Sequence, residues 1–302
     1  MLYRLGMRIG VDLGGTKTEA IALDDDGNEL LRERIATRRD TYEAVIATVA
    51  ELVAQVEGVL GAKGTVGAGT PGAISPATGL IKNANLTVLN GRALDCDLTE
   101  AIGRPVRIAN DADCLALSEA TDGAGAGYRT VFAVILGTGV GGGISVGQEI
   151  VTGPNAIGGE WGHNPLPWPT VTEGAGPACY CGRTGCIETY LSGPGLSADH
   201  ARTEGVDLPP EQIAAGTRPG TAETMDRYFD RLARSLATVI NLLDPHVIVL
   251  AGGMSRIVGL VEEVSRRWGS YVFSDQVDTP LVLAAHGDSS GVRGAAWLGA
   301  GG

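Results

Sequence analysis

One pattern of strands and helices occurs twice along the chain, and this repetition restricts the folds that the chain can adopt. Three short predicted strands lie at 8–14, 18–24 and 29–37, and an alternation of helices and strands follows them. The same order begins again at 130–137 and ends in a predicted helix at 290–299. Three strands followed by alternating helices and strands are typical of α/β domains. We therefore predict two related α/β domains.

The repeats also suggest domain boundaries. We predict a smaller N-terminal domain at residues 1–112 and a larger domain at 113–289. The C-terminal helix, at 290–302, is expected to pack back on the first domain. A segment rich in glycine and proline, at about 153–221, interrupts the second repeat and reads as an insertion. A length of 302 residues is enough for two domains of ordinary size.

The charge and the apolar runs exclude several classes of protein. The net charge is −12 and no basic stripe is present, so we expect no nucleic-acid partner. The longest apolar runs, at 131–136 and 247–251, are too short to cross a bilayer, and the N-terminus lacks the features of a signal peptide. The five cysteines are an odd number, which does not suit a disulfide framework. We therefore predict a cytoplasmic protein with no membrane partner.

Two glycine-rich segments follow the first strand of each repeat: DLGGTKT (12–18) and ILGTGVGGG (135–143). Two GxGxxG matches, at 67–72 and 137–142, lack the strand, turn and helix that a dinucleotide site needs, since turn residues or a strand follow them. The spacing of a Walker A loop is also absent. We interpret the two segments as hairpins whose backbone amides bind phosphate. Tight turns without a ligand are the alternative, which their matching positions make less favourable.

Three cysteines lie close together in CYCGRTGCIE (179–188). Cys179 and Cys181 alternate, so both thiolates can point to one side, and the glycines that follow allow a turn that brings Cys186 back. His163 is the nearest histidine in the sequence. Zinc in proteins prefers four cysteine or histidine ligands. This arrangement favours a metal site over a redox pair or ordinary packing.

Several of these motifs resemble those of a known family. DLGGTKT, GTGVGGG and VLAGGMS (249–255) resemble the two phosphate segments and the adenosine segment of the actin–hexokinase ATPase fold. GEWGHNPLPW (159–168) and the cysteine segment closely resemble the signature of the ROK family of repressors, open reading frames and kinases. The similarity covers essentially the whole chain. It implies an α/β, actin/hexokinase-like (ribonuclease H-like) fold with two related domains around a central cleft.

Within this family, the sequence resembles bacterial fructokinases and manno(fructo)kinases most, on segments 82–91, 108–120 and 286–298. The resemblance implies phosphorylation of a hexose at its 6-hydroxyl by ATP and Mg²⁺, with fructose as the expected substrate. A mannose, glucose or N-acetylhexosamine kinase is the alternative within the family. A sugar-responsive repressor is a further alternative, but it would carry a DNA-binding domain before the first phosphate strand, where we expect no room for one. Family members are often dimers, so we expect a homodimer.

The resemblance identifies Asp111 as the general base. A sugar hydroxyl is a poor nucleophile, and a carboxylate within hydrogen-bond reach can take its proton. A helix N-cap is the alternative interpretation of Asp111. Asp113 is a competitor that we assign to complementing the helix dipole. The residues that the resemblance places at the sugar are Gly72, Asn85, Asn110, Asp111, Glu160, His163 and Glu188.

The resemblance also implies sites for the nucleotide and for two metals. Asp12 is expected to hold Mg²⁺ directly or through water, although it could be only a polar strand end. The zinc ligands that the resemblance implies are His163, Cys179, Cys181 and Cys186, and the Zn²⁺ would brace the sugar-binding wall without taking part in the chemistry. The predicted ATP-binding residues are Asp12, Gly14, Gly15, Thr16, Lys17, Gly137, Thr138, Gly139, Gly252 and Gly253.

Overall fold

The computed structural model describes residues 2–299. The chain is a mixture of β-strands and α-helices, which occur in the following order along it, apart from short 3₁₀ turns. They are β1 (Leu2–Leu13), β2 (Lys17–Leu23), β3 (Glu29–Ala36), α1 (Tyr42–Leu60), β4 (Ala62–Thr70), β5 (Ala73–Ile74), β6 (Ile81–Lys82), α2 (Leu94–Ile102), β7 (Val106–Asn110), α3 (Asp111–Thr121) and β8 (Thr130–Leu136). The others are β9 (Val140–Val146), β10 (Glu149–Ile150), α4 (Glu188–Leu191), α5 (Gly193–Glu204), α6 (Pro210–Ala214), α7 (Thr221–Leu243), β11 (Val247–Ala251), α8 (Leu260–Arg267), β12 (Leu281–Leu283) and α9 (Ser290–Leu298).

The two larger sheets have the same strand order. In the first, the order is β3-β2-β1-β4-β7, with antiparallel pairs on one side of β1 and parallel pairs on the other. In the second, the order is β10-β9-β8-β11-β12, and β11 pairs in parallel with both of its neighbours. Each sheet therefore follows one connectivity in which the first three strands form a meander and two later strands join in parallel. This confirms the predicted α/β repeat.

The chain divides into two compact units. The first comprises the residues up to 129, 143–158 and the residues from 288 onward, and the second comprises 130–142 and 159–287. The domain boundaries predicted from the sequence, at 112 and 289, stay a prediction. In the first unit, α9 lies directly on the sheet, because a Cβ at Gly10 would come within 2.1 Å of the Val292 carbonyl oxygen. Residues without a side chain thus let the helix approach the strands closely.

The apolar residues of α1 recur at helical spacing and are buried, which explains why this segment forms a helix on the sheet. Thr41 caps its N-terminus by accepting a hydrogen bond from the Ala44 amide, and Gly61 ends it in a left-handed conformation. In the second unit, α7 buries one face in the same way. Helix α1 therefore packs on the first sheet, whereas α7 packs against α4, α5, α6 and α8 within the second unit.

The structure differs from the sequence prediction at several elements. Strand β1 begins at Leu2 and not at residue 8, since Leu2 and Tyr3 pair with β4 before a register shift. The predicted helix at 255–268 forms only as α8, because the chain first makes a 3₁₀ turn at Gly253–Arg256. Helix α2, the β5–β6 hairpin and the short helices α4 to α6 were not predicted. The last three lie in the segment rich in glycine and proline, where helical periodicity is weak.

None of the helices among residues 2–299 has the length and apolar character needed to cross a membrane. Cytoplasmic localisation stays a prediction.

Candidate active site

Asp12 and Asp111 lie at the same edge of the first sheet. Asp12 is near the end of β1 and pairs with Gly69 of β4, while Asp111 directly follows β7, whose end pairs with the end of β4. Because β1, β4 and β7 are parallel, their carboxyl ends meet at one edge. This is the place where open α/β sheets bind ligands.

The pKa of Asp12 is raised to about 6. Burial is the largest cause, and the negative charges of Asp111 and Glu19 add to it, while Lys17 and Arg34 act in the opposite direction. A partly buried carboxylate beside a second carboxylate would bind a hard divalent cation through oxygen, which is the donor that Mg²⁺ prefers. The residues at this edge therefore fit a magnesium site.

The raised pKa of Asp12 predicts how stability changes with pH. Below about pH 4, Asp12 is protonated in both the folded and the unfolded chain. As pH rises from about 4 to 6, the unfolded chain loses this proton while the folded chain keeps it, so stability falls, by at most about 3 kcal/mol for a shift of this size, and the loss is complete above pH 6. Asp12→Asn should remove this contribution to the fall in folding stability. Thermal melting of both proteins between pH 4 and 8 without divalent cations checks the prediction, and parallel curves would contradict it.

Asn110, not Asp111, is the N-cap of α3. Its Oδ1 accepts a hydrogen bond from the Ala112 amide at 2.8 Å, and its Nδ2 donates to the Gly72 carbonyl oxygen at 3.2 Å. Asp111 is the first helical residue and is exposed; one of its oxygens also accepts from the Ala112 amide. The alternative interpretation of Asp111 as the N-cap is therefore wrong, whereas the predicted sugar contact of Asn110 stays a prediction.

Glycine is required at position 72 because the backbone of residues 82–84 passes very close to it. A Cβ at this position would lie 2.4 Å from the Lys82 carbonyl oxygen and 2.8 Å from the Ala84 amide nitrogen, and φ is +77°. The segment after β6 therefore lies against Gly72. The exposed Asn85 belongs to this segment. Asn110, Gly72 and the loop that carries Asn85 therefore lie close together.

Both glycine-rich segments form hairpins in the structure. Gly14 donates a backbone hydrogen bond to Lys17 at 3.1 Å between β1 and β2, and Gly137 donates one to Gly139 at 3.0 Å between β8 and β9. Lys17 is exposed. The remaining predicted nucleotide residues lie at the same turns or after β11: Gly15, Thr16, Thr138, Gly252 and Gly253.

Glu188 contacts the second glycine hairpin directly. Its Oε2 accepts a hydrogen bond from the Val140 amide at 2.9 Å, and a Cβ at Gly139 would lie 2.8 Å from the same oxygen. The amide of Gly193, which begins α5, donates to the Gly137 carbonyl oxygen at 2.8 Å. The segment after the cysteine cluster therefore supports both ends of this hairpin. Glu188 was predicted to contact the sugar, and its contact with the hairpin was not predicted.

Trp161 anchors the segment that carries Glu160 and His163. Its ring is buried, its Nε1 donates to the Gly141 carbonyl oxygen at 2.9 Å, and its edge meets Phe132 at 5.9 Å. Glu160 is exposed and makes no hydrogen bond or ion pair within residues 2–299. An exposed carboxylate on a fixed segment can accept hydrogen bonds from a ligand. No motif in the sequence predicts this anchoring role of Trp161.

The four predicted zinc ligands come together. One ligand atom from each of His163, Cys179, Cys181 and Cys186 lies within 4.8 Å of all the others. The Cys181 and Cys186 Sγ atoms are 3.6 Å apart, and the Cys179 Sγ lies 3.7 Å from the His163 Nδ1. Tetrahedral zinc with ordinary bond lengths separates its ligand atoms by about 3.5–3.8 Å. The donor set and its spacing therefore fit Zn²⁺.

The cluster is built from a tight turn and two short bridges. The Gly182 amide donates to the Cys179 carbonyl oxygen at 3.0 Å, and φ at Gly182 is +86°, which a residue with a side chain rarely adopts. Isolated bridges join Pro165 to Cys186 and Ala178 to Thr184. The glycine turn that the sequence predicted thus brings Cys186 back to the other ligands.

A buried ion network ties the loop between His163 and Cys179 to α7. Glu173 accepts hydrogen bonds from Arg231 and Arg234, and Arg234 also donates to the Trp168 carbonyl oxygen at 2.6 Å. Burial alone would raise the pKa of Glu173, but these hydrogen bonds outweigh it and lower the pKa to about 2. The carboxylate is therefore charged at neutral pH. This network holds the loop between His163 and Cys179 against α7.

The chain is similar to known proteins along nearly its whole length. The family model described as the ROK family matches residues 8–301. The N-acetyl-D-glucosamine kinase of Photobacterium profundum is 38% identical over 299 residues, covering 97% of this chain and 99% of that protein. The enzyme of the same name from Pectobacterium atrosepticum is 37% identical over 299 residues, with 97% and 98% covered.

Solved structures agree with these relatives. The ROK hexokinase from Thermus thermophilus has a TM-score of 0.86 and 29% identity, with 97% of each chain covered. A ROK family glucokinase from Streptomyces griseus, solved with glucose and AMPPNP, has a TM-score of 0.74 and 26% identity, with 97% of this chain and 99% of that one covered.

The chain belongs to the ROK family and has its actin/hexokinase-like fold. It is a sugar kinase of that family.

Proposed function

We propose that the chain is an N-acetyl-D-glucosamine kinase that transfers the γ-phosphoryl group of ATP to the 6-hydroxyl of the sugar. The observation that carries this proposal is the 38% identity to an enzyme of that name along nearly the whole of both chains. The N-acetylhexosamine alternative of the sequence analysis is therefore preferred. The prediction of fructose is not supported, since it depended on short local resemblances and the relatives compared above carry a different name.

The proposed chemistry assigns separate tasks to the two units. In the first, Asp111 accepts the proton of the sugar hydroxyl as the bond from oxygen to phosphorus forms and the bond to ADP breaks. Asp12 would hold Mg²⁺, which supplies positive charge for the phosphate oxygens. In the second, the amides of the Gly137–Gly139 turn would bind phosphate. Glu160 and Glu188 would accept hydrogen bonds from sugar hydroxyls.

Zinc is proposed to keep the sugar-binding segment in shape. His163 and the three cysteines would hold the ion, which supplies a fixed tetrahedral crosslink between the segment of Glu160 and the segment of Glu188. The homodimer and the cytoplasmic location predicted from the sequence are also kept as proposals.

A panel of sugars tests the proposed substrate. We expect kcat/KM for N-acetyl-D-glucosamine to exceed that for fructose, glucose and mannose by roughly tenfold or more, because a site built for one polar substituent leaves its own groups unpaired when that substituent is missing. ADP release coupled to NADH oxidation measures all four sugars in one assay. Fructose as the best substrate would restore the original prediction and refute the proposed one.

A further inference from the structure

Thr37 is a buried threonine whose hydroxyl lies against the first glycine hairpin, between β1 and β2. It directly follows β3 in the chain. Its Oγ1 donates a hydrogen bond to the Gly14 carbonyl oxygen at 2.8 Å. Its backbone amide donates to the Thr16 carbonyl oxygen at 3.1 Å. One residue outside the hairpin therefore fixes two of its carbonyl groups.

We propose that Thr37 is a positioning residue for the phosphate groups of ATP: its hydroxyl orients the peptide between Gly14 and Gly15 so that the Gly15 amide donates to the nucleotide. The proposal rests on the proposed use of ATP and on the first hairpin as a turn that binds phosphate. No motif in the sequence predicts this role, because Thr37 lies outside DLGGTKT (12–18).

The first argument is the geometry of the peptide unit. In a planar trans peptide, the carbonyl group of one residue and the amide of the next point in opposite directions. Because the Gly14 carbonyl oxygen points to the Thr37 hydroxyl, the Gly15 amide points away from it. Within residues 2–299, no protein group accepts a hydrogen bond from the Gly15 amide or the Thr16 amide. Both amides are therefore available to a phosphate oxygen.

The second argument is the glycine pair itself. Neither Gly14 nor Gly15 has a side chain that restricts φ and ψ, so the peptide between them can rotate at little steric cost. The turn also has room for a ligand, because a Cβ at Gly15 would meet no other described atom within 4 Å. A rotated peptide would direct the partly negative Gly14 carbonyl oxygen at the phosphate and repel it. The bond from Thr37 selects the orientation that attracts an anion.

The third argument is the second hydroxyl behind Thr37. The Thr37 Oγ1 lies 2.8 Å from the Thr18 Oγ1, and both residues are buried. Thr37 uses its one hydroxyl proton on Gly14, so the Thr18 hydroxyl donates to Thr37. Hydrogen bonds in such a chain polarise and strengthen one another. The Thr37 hydroxyl is therefore held with its proton directed at the turn.

Thr37→Val removes the hydroxyl and keeps the shape of the side chain. Isothermal titration with a non-hydrolysable ATP analogue and Mg²⁺ should show a Kd raised by roughly 10-fold or more, because a hydrogen bond to a charged phosphate is misdirected. KM for ATP should rise in parallel, while Kd and KM for the sugar should not change. Thr37→Ser restores the hydroxyl and should return Kd for the analogue close to the wild-type value.

Thr121→Val is the matched control, because the Thr121 hydroxyl also donates to a backbone carbonyl oxygen, that of Leu117 within α3, at 2.7 Å. It should leave both affinities unaltered, even where the melting temperature falls. Thr18→Val keeps the bond from Thr37 to Gly14 but removes the donor behind it. We expect a smaller rise in Kd for the analogue than in Thr37→Val, and this variant decides the question where Thr37→Val does not fold.

An unchanged Kd for the analogue in Thr37→Val, or in Thr18→Val where it is the deciding variant, would overturn the proposal. An equal rise in Thr121→Val would do the same. A rise that Thr37→Ser does not reverse would also overturn it, because the loss would then come from packing and not from the hydroxyl.

The same titration separates this proposal from the proposed function. Failure of the wild-type protein to bind the ATP analogue would refute the proposed use of ATP, and the role of Thr37 with it. Binding by the wild-type protein, with equal binding by Thr37→Val, would refute the role of Thr37 alone.

Discussion

Asp111→Asn is expected to lower kcat by roughly 10²–10⁴ and to leave the fold and the affinity for ATP unchanged, because an amide cannot take the proton of the attacking hydroxyl. The structure makes this substitution a clean test. Asn110 caps α3, and an asparagine at position 111 keeps an oxygen that can accept from the Ala112 amide, so the start of the helix should be preserved. The exposed Asp111 side chain also leaves no cavity when it is replaced. Steady-state kinetics with saturating sugar and ATP, together with thermal melting, measure the two expectations.

Asp113→Asn is the matched control. Asp113 lies in the same first turn of α3 but is buried, so it can complement the helix dipole but is poorly placed to meet a substrate. We expect its kcat to stay within a few-fold of the wild-type value, even if the melting temperature falls. Near-normal kcat for Asp111→Asn, with a large loss for Asp113→Asn, would transfer the role of the base to Asp113.

The parts of the site that the sequence predicted are those that local geometry decides. The two glycine hairpins follow from glycines at the end of an apolar run, and the return of Cys186 follows from the glycines after Cys181. Asp12 and Asp111 were each predicted from an acidic residue at the end of an apolar strand, although their position at one edge of the sheet was not. In each case, a few consecutive residues and their secondary structure were enough.

The parts that the sequence did not predict depend on contacts between distant residues. Nothing near Glu188 in the sequence points to the Val140 amide, and nothing near Thr37 points to the Gly14 carbonyl oxygen to which its hydroxyl donates. The same holds for Arg234, which reaches back to the loop between the zinc ligands. The choice between fructose and an N-acetylated sugar is similar, since it depends on a few side chains whose spacing along the chain has no regular pattern.

The bond between Glu188 and Val140 has a consequence for how the two substrates depend on each other. Glu188 is proposed to contact the sugar, and it also holds the hairpin that is proposed to bind phosphate. A displacement of Glu188 would therefore disturb the phosphate site as well as the sugar site. Glu160, which has no bond to that hairpin among residues 2–299, would disturb only the sugar site. Damage to the metal cluster should displace both Glu160 and Glu188, so it should weaken sugar binding more than phosphate binding.

Cys181→Ser is accordingly expected to remove most of the zinc and to lower kcat/KM for the sugar by roughly 100-fold or more, since loss of a ligand exceeds the effect of losing a residue that supports one. Wild-type protein should carry about one zinc per chain, with His163, Cys179, Cys181 and Cys186 as ligands. The affinity for ATP should fall much less, because the zinc ligands act on the phosphate hairpin indirectly, through neighbouring residues such as Glu188.

Cys96→Ser is the control for this variant, because Cys96 is an exposed thiol in the first unit and is not one of the four cluster residues. Elemental analysis of protein purified without chelators gives the zinc content, and titration with sugar and with an ATP analogue gives the two affinities. Absence of zinc from the fresh wild-type protein would refute the metal site. Full loss of zinc with unchanged sugar affinity would refute its supporting role, because the segments of Glu160 and Glu188 would then keep their positions through Trp161 and Val140 alone.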